Sequence, residues 1–102
     1  MSYTNGPCRI RVKNDCHKMV FDVHGCDGGN VSCSYENGTF SVLAKRGKLY
    51  NYAYNFTLDD PSNFNVDNSY MVVERGMATL VVPLAGYIED NVNRYFSIPV
   101  RG

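Results

Sequence analysis

No stretch of this chain strings together the roughly 20 apolar residues that a membrane-crossing helix requires. Its start, Met1-Ser-Tyr-Thr-Asn-Gly-Pro7, has neither the basic opening nor the apolar centre of a secretory leader. Neither sign of charge is in excess, ten Lys and Arg standing against ten Asp and Glu. That balance lacks the basic footprint of a nucleic-acid binder. It also weakens the self-repulsion that keeps molecules apart, which suits a protein that associates. The expectation is a cytoplasmic protein with no membrane and no nucleic-acid partner. Its four cysteines, Cys8, Cys16, Cys26 and Cys33, are then expected as thiols.

No catalytic set is visible. His17 and His24 stand in no pattern with a nucleophile and an orienting acid, and no Gly-rich phosphate loop precedes a helix. Gly25, Gly28 and Gly29 read as a turn. Cys16, His17, His24, Cys26 and Cys33 match no zinc-finger or ribbon spacing, and Cys33 reads as a small buried hydrophobe on a strand. The chain is therefore read as a non-enzyme with no metal and no cofactor. Internal repeats, low-complexity segments and domain linkers are missing too, so 102 residues make one domain.

What the chain does have is alternation with period two, the mark of half-buried strands. Cys8, Ile10 and Val12 alternate with Arg9, Arg11 and Lys13; Met19, Phe21 and Val23 follow. Then come Val31, Cys33 and Tyr35, and Phe40 and Val42 opposite Thr39 and Ser41. Tyr50, Tyr52, Tyr54, Phe56 and Leu58 form the longest alternating row. Residues 70–73 and 77–82 are apolar on both sides, as strands in the middle of a sandwich are. Turn signals fall between these runs, among them Asn37-Gly38, which suits a type I′ hairpin because both residues tolerate positive φ. The spacing predicts an all-β, immunoglobulin-like sandwich of about seven antiparallel strands. Only residues 85–96 have room for a short helix, against which Gly86 and nearby asparagines argue.

In order, these strands resemble the α-crystallin domain of small heat-shock proteins. Met19-Val-Phe-Asp-Val-His-Gly25 stands where that family has a strand ending in Asp-Leu-Pro-Gly. Glu36-Asn-Gly-Thr-Phe-Ser-Val-Leu-Ala-Lys-Arg46 fits its next hairpin and apolar strand, and Phe56-Thr57-Leu58 and Asn65-Val66-Asp67 fit the steps after it. Arg75-Gly-Met-Ala-Thr-Leu-Val-Val-Pro83 has the frame of the family signature, and Ile98-Pro99-Val100 that of its C-terminal Ile-x-Ile/Val motif. The match covers roughly residues 8–100. Val23-His24 and Met77-Ala78 depart from the signature, the stretch from Arg46 to Tyr50 is too short for an exchanged strand, and only residues 1–7 precede the first strand.

The resemblance implies a remnant at 1–7, an α-crystallin-like sandwich at 8–84 and a C-terminal extension at 85–102. It implies an ATP-independent chaperone that holds non-native proteins and assembles with itself as a homodimer or larger oligomer. In that reading Ile98, Pro99 and Val100 bind a neighbouring subunit. The receiving groove, for tail or client, is formed by Val31, Cys33, Tyr35, Tyr70 and Val72. Tyr50, Tyr52 and Tyr54 lie on the dimer strand. The stretch from Pro83 to Ile98 reaches about 50 Å when extended, and Pro99 biases Ile98 toward an extended backbone.

Two other readings stand beside it. Four cysteines and the sequons at Asn30, Asn37 and Asn55 suit a disulfide-stapled extracellular or virion β-module. A p23-like co-chaperone has a related sandwich, without the tail motif.

Overall fold

The computed structural model describes residues 6–86 and 94–102, apart from the side chains of residues 49–51. The described strands are β1 (Arg9–Val12), β2 (Cys16–Asp22), β3 (Val31–Glu36), β4 (Thr39–Arg46), β5 (Leu49–Thr57), β6 (Tyr70–Glu74), β7 (Met77–Pro83), β8 (Tyr95–Ile98) and β9 (Val100–Arg101). They form a five-stranded sheet in the order β1-β2-β7-β6-β9 and a four-stranded sheet in the order β5-β4-β3-β8. The fold is an all-β sandwich, and every ladder is antiparallel except that of β6 with β9.

Alternation translates into burial strand by strand. Met19 and Phe21 on β2, Val31, Cys33 and Tyr35 on β3, and Phe40, Val42 and Ala44 on β4 all turn into one core. β7 lies between β2 and β6, so it is covered on both sides in its own sheet. Leu80 and Val82 face the core, while Val81 is buried on the outer face, in register with Lys18 on one side and Tyr70 on the other. That placement accounts for an apolar run in which neither face is polar.

Two tight hairpins fix the registers. Asn37 and Gly38, with φ of 50° and 92°, join β3 to β4; Arg75 and Gly76, with φ of 52° and 77°, join β6 to β7. Both pairs have the positive φ at successive residues that type I′ turns need. The chain crosses between sheets twice before the tail. After β2 the crossing uses Asp27, whose side chain accepts from Gly29 N at 3.0 Å. After β5 it uses short 3-10 turns at Pro61–Asn63 and Val66–Asn68, the second anchored by fully buried Val66.

The seven strands from β1 to β7 account for the sandwich expected from the sequence. β8 and β9 lie in the stretch 85–102 read from the sequence as a C-terminal extension with an extended Ile98-Pro99-Val100 segment. The short helix weighed for residues 85–96 falls mostly on residues outside those described.

Candidate functional site: the groove between β3 and β6

Without β8 and β9, β3 would be an edge of one sheet and β6 an edge of the other, on the same side of the sandwich. Unpaired edges attract further strands. Here the tail covers both. β8 runs antiparallel to β3, with Ile98 opposite Cys33, Ser97 opposite Ser34, Phe96 opposite Tyr35 and Tyr95 opposite Glu36. At Pro99 the chain leaves that sheet, and β9 runs parallel to β6 with Val100 opposite Met71 and Arg101 opposite Val72. Met71 N donates to Pro99 O at 2.9 Å, which stitches the crossing point to the second sheet. Proline has no N–H to offer a ladder, so it suits the residue at which the tail changes sheets.

Side chains secure what the backbone begins. Ile98 is 4% exposed and joins the main core, with Phe96 and Val100 packed at its margin. Burying a side chain of that size stabilises by about 1.5–3 kcal/mol. The Phe96 ring lies 5.3 Å from Tyr35. Arg94, just before β8, makes a bidentate pair with Asp67, both N···O distances being 2.7 Å, and its guanidinium lies over Phe96. Asn37 N donates to Arg94 O at 3.0 Å. At the far end the Arg101 guanidinium sits 4.7 Å from the Tyr70 ring centroid. Gly102 packs so closely that a Cβ there would come within 2.5 Å of Val73 O.

The sequence reading sent Ile98, Pro99 and Val100 to a neighbouring subunit. In this single chain they lie in the chain's own groove. Of the residues named for that groove, Cys33 and Tyr35 lie beneath β8, and Val31 is further along β3, beyond the ladder with β8. Tyr70 and Val72 are half-buried; Tyr70 meets the tail through Arg101, and Val72 lies opposite Arg101. Met71 and Val73 are the β6 side chains that enter the core. With apolar residues at four successive positions, the parity of β6 was not readable. Met71, Asp67, Arg94 and Phe96 were not singled out as groove residues, although Arg94 and Phe96 flank the motif in sequence.

A search of protein-family models finds no match to this chain, and neither does a search of curated sequences. Solved structures do match. Heat shock protein 16.0 from Schizosaccharomyces pombe aligns over 79% of this chain and 74% of its own, with a TM-score of 0.67 at 12% identity. HSP18.5 from E. histolytica aligns over 84% and 93%, with a TM-score of 0.62 at 15% identity. The fold is that of small heat-shock proteins.

In this small heat-shock fold, β5 is the free edge of its sheet among the described residues. Tyr50, expected on a dimer strand, has its side chain outside the described residues. Tyr54 is buried at 5% exposure and Tyr52 partly so, and the two rings stack at 6.3 Å. Tyr52 Oη donates to His24 O at 2.9 Å, and Tyr54 Oη donates to Asp22 O. These hydroxyls tie β5 to the end of β2 in the opposite sheet, a role the alternation alone did not disclose. What β5 leaves unpaired, among the described residues, is its outer backbone edge.

The four cysteines are free thiols. Cys26 Sγ donates to Lys45 O at 3.0 Å, and burial pushes the Cys33 thiol up to about 12. Among the described residues, no three metal-ligating side chains converge, and no helix is long and apolar enough to cross a membrane.

Proposed function

We propose that this protein is an ATP-independent holdase of the small heat-shock class. It binds extended apolar segments of non-native proteins in the groove between β3 and β6, and it assembles with itself through the tail that occupies that groove. The observation that carries the reading is the seating of Ile98: a late strand, not one of the first seven, fills an apolar slot open to two sheet edges. A slot that accepts Phe96, Ile98 and Val100 by strand pairing accepts other extended apolar segments on the same terms. The resemblance of the fold to small heat-shock proteins supports it.

The tail acts as competitor and connector. Docked on its own chain it shields the groove; docked on a second copy it makes the same contacts and links the two. Millimolar effective concentration, the order typical of a short tether, favours the first arrangement in dilute solution. A β5 edge pairing with its counterpart supplies the dimer. Reduced thiols fit a cytoplasmic location. No enzymatic step, cofactor, nucleic acid or membrane enters this function.

The test is suppression of heat-induced aggregation of a labile client enzyme, followed by light scattering without ATP, alongside native mass. The full chain is expected to suppress scattering and to grow in mass with concentration. The Ile98→Gly/Val100→Gly variant, with its groove vacated, should suppress more strongly per mole yet assemble less. A chain that stays monomeric at every concentration and leaves aggregation unchanged would end the holdase reading and leave only the fold.

A further inference from the structure

The opposite side of the sandwich has its own open edge, and it is built differently. Among the described residues β1 pairs only with β2, in the register Arg9–Val20, Ile10–Met19, Arg11–Lys18 and Val12–His17. All four of its residues are exposed, and two of them are large and apolar: Ile10 at 51% and Val12 at 70%. Arg11 stands directly across from Lys18, a like-charge pair that destabilises an antiparallel sheet. Among the described residues no carboxylate pairs with Arg9, Arg11 or Lys18. Asp22, on the same face of β2, is turned to the His24 amide.

A hollow lies on each side of this strand. On the outer face Arg9, Arg11, Lys18, Val20, Met77 and Thr79 line a depression of about 410 Å³ with three cations and no acid. On the inner side a groove of about 580 Å³ is walled by Ile10, His17, Phe56, Leu58, Phe64 and Leu84, with Asp59 and Asp60 also lining it. Of the β1 side chains, Arg9 and Arg11 line the outer hollow and Ile10 the inner one. A strand laid beside β1 would likewise send alternate side chains to the two faces.

The geometry points to β1 as a docking edge for an extended segment of another protein in which acidic and apolar residues alternate. Its acidic side chains meet Arg9, Arg11 and Lys18, and its apolar ones enter the groove beside Ile10. Asp59 and Asp60 fix the facing, since they repel acidic side chains turned inward. A second copy's β1 is a poor occupant, because arginines would be set against arginines. Basic residues alone are a familiar guard on an edge strand. Exposed Ile10 between the arginines and exposed Val12 after them, with a hollow on each side of the strand, are more than a guard needs.

This proposal does not use the tail groove, so it stands or falls apart from the holdase reading. The probe is a short, capped, fluorescent peptide alternating valine with glutamate, titrated into the full chain to about 1 mM and followed by anisotropy. It is expected to bind, more weakly as salt rises, and to add hydrogen-exchange protection to β1. A peptide of the same composition with its glutamates grouped should bind at least about tenfold more weakly. Arg9→Glu/Arg11→Glu should weaken the alternating acidic peptide by about tenfold and gain affinity for a valine–lysine counterpart, a swap that misfolding would not produce. Ile98→Gly/Val100→Gly should bind as the parent does. Ile10→Thr/Val12→Thr, which keeps strand propensity and the cations, should also lose affinity. No binding at the highest concentration, equal binding of the grouped peptide, or indifference to either β1 variant would overturn the proposal.

Discussion

Ile98 lies directly opposite Cys33 in the β8–β3 ladder, and each side chain is 4% exposed. The tail therefore flanks a buried thiol on a strand that would be a sheet edge without it. When the tail lifts, Cys33 meets solvent. Ile98→Gly should raise the rate at which a maleimide labels Cys33 by about tenfold or more, since thiol reactivity follows exposure and ionisation. Exposed Cys8 serves as the internal reference in the same digest, and its rate should not change.

The same thiol predicts a loss of stability in alkali. Burial pushes Cys33 up to about 12, whereas a free thiol ionises near pH 8.5. Above that pH the unfolded chain gives up a proton that the native chain keeps. The contribution is whole below about pH 8.5 and is lost as pH rises toward 12, with a limiting slope of about 1.4 kcal/mol per pH unit. In urea unfolding between about pH 8.5 and 10.5, Cys33→Ala should lose stability less steeply than the parent. Parallel slopes would contradict this.

The ion pair of Arg94 with Asp67 sets how firmly the tail begins. The side chains are 37% and 53% exposed, so solvent screens them and the pair is worth about 0.5 kcal/mol despite its bidentate geometry. Arg94→Gln should speed exchange of the β8 amides by about twofold. The difference from the parent should narrow in high salt, because the lost interaction is largely coulombic.

Hairpin chemistry offers stability in both directions. Arg75 holds φ of 52° at a position suited to asparagine or glycine. Arg75→Asn should raise the unfolding midpoint, by up to about 1 kcal/mol in stability. Gly38 has φ of 92°, and a Cβ there would stand 3.3 Å from Pro61 Cγ. Gly38→Ala should lower stability by about 1 kcal/mol or more. Thermal unfolding of the two variants in parallel is the check.

Tyr54→Phe removes the hydroxyl that donates to Asp22 O and leaves the buried ring in place. A loss of about 1 kcal/mol is expected. Because that bond joins β5 to the opposite sheet, the variant should also change the concentration dependence of native mass if β5 pairing makes the dimer. An unchanged profile would mean that the hydroxyl serves the sandwich alone.

Much of the sandwich was legible because its strands alternate cleanly and its hairpins use residues that tolerate positive φ. Asn37-Gly38 shows this best, since both residues adopt the backbone that the dipeptide suits. The tail was legible as a motif and not as a structure. Ile98 and Val100, two apart, read as one strand facing one groove, but Pro99 moves the chain from one sheet to the other between them. A two-residue spacing says nothing about which edge each residue will find. The parity of β6 was hidden by its unbroken apolar run. The Arg94–Asp67 pair was hidden by sequence distance, since the two residues are 27 apart and neither is unusual alone.

Because the tail is hydrogen-bonded to both sheets, the proposed holdase function requires that a client displace the whole of it and not a part. Ile98 must leave β3 and Pro99 must release Met71 before the slot is clear. Capture then has an opening step ahead of it, and the observed rate should rise with client concentration only until it reaches the rate of tail release. That ceiling belongs to the chain alone and should be the same for every client, whatever its final affinity.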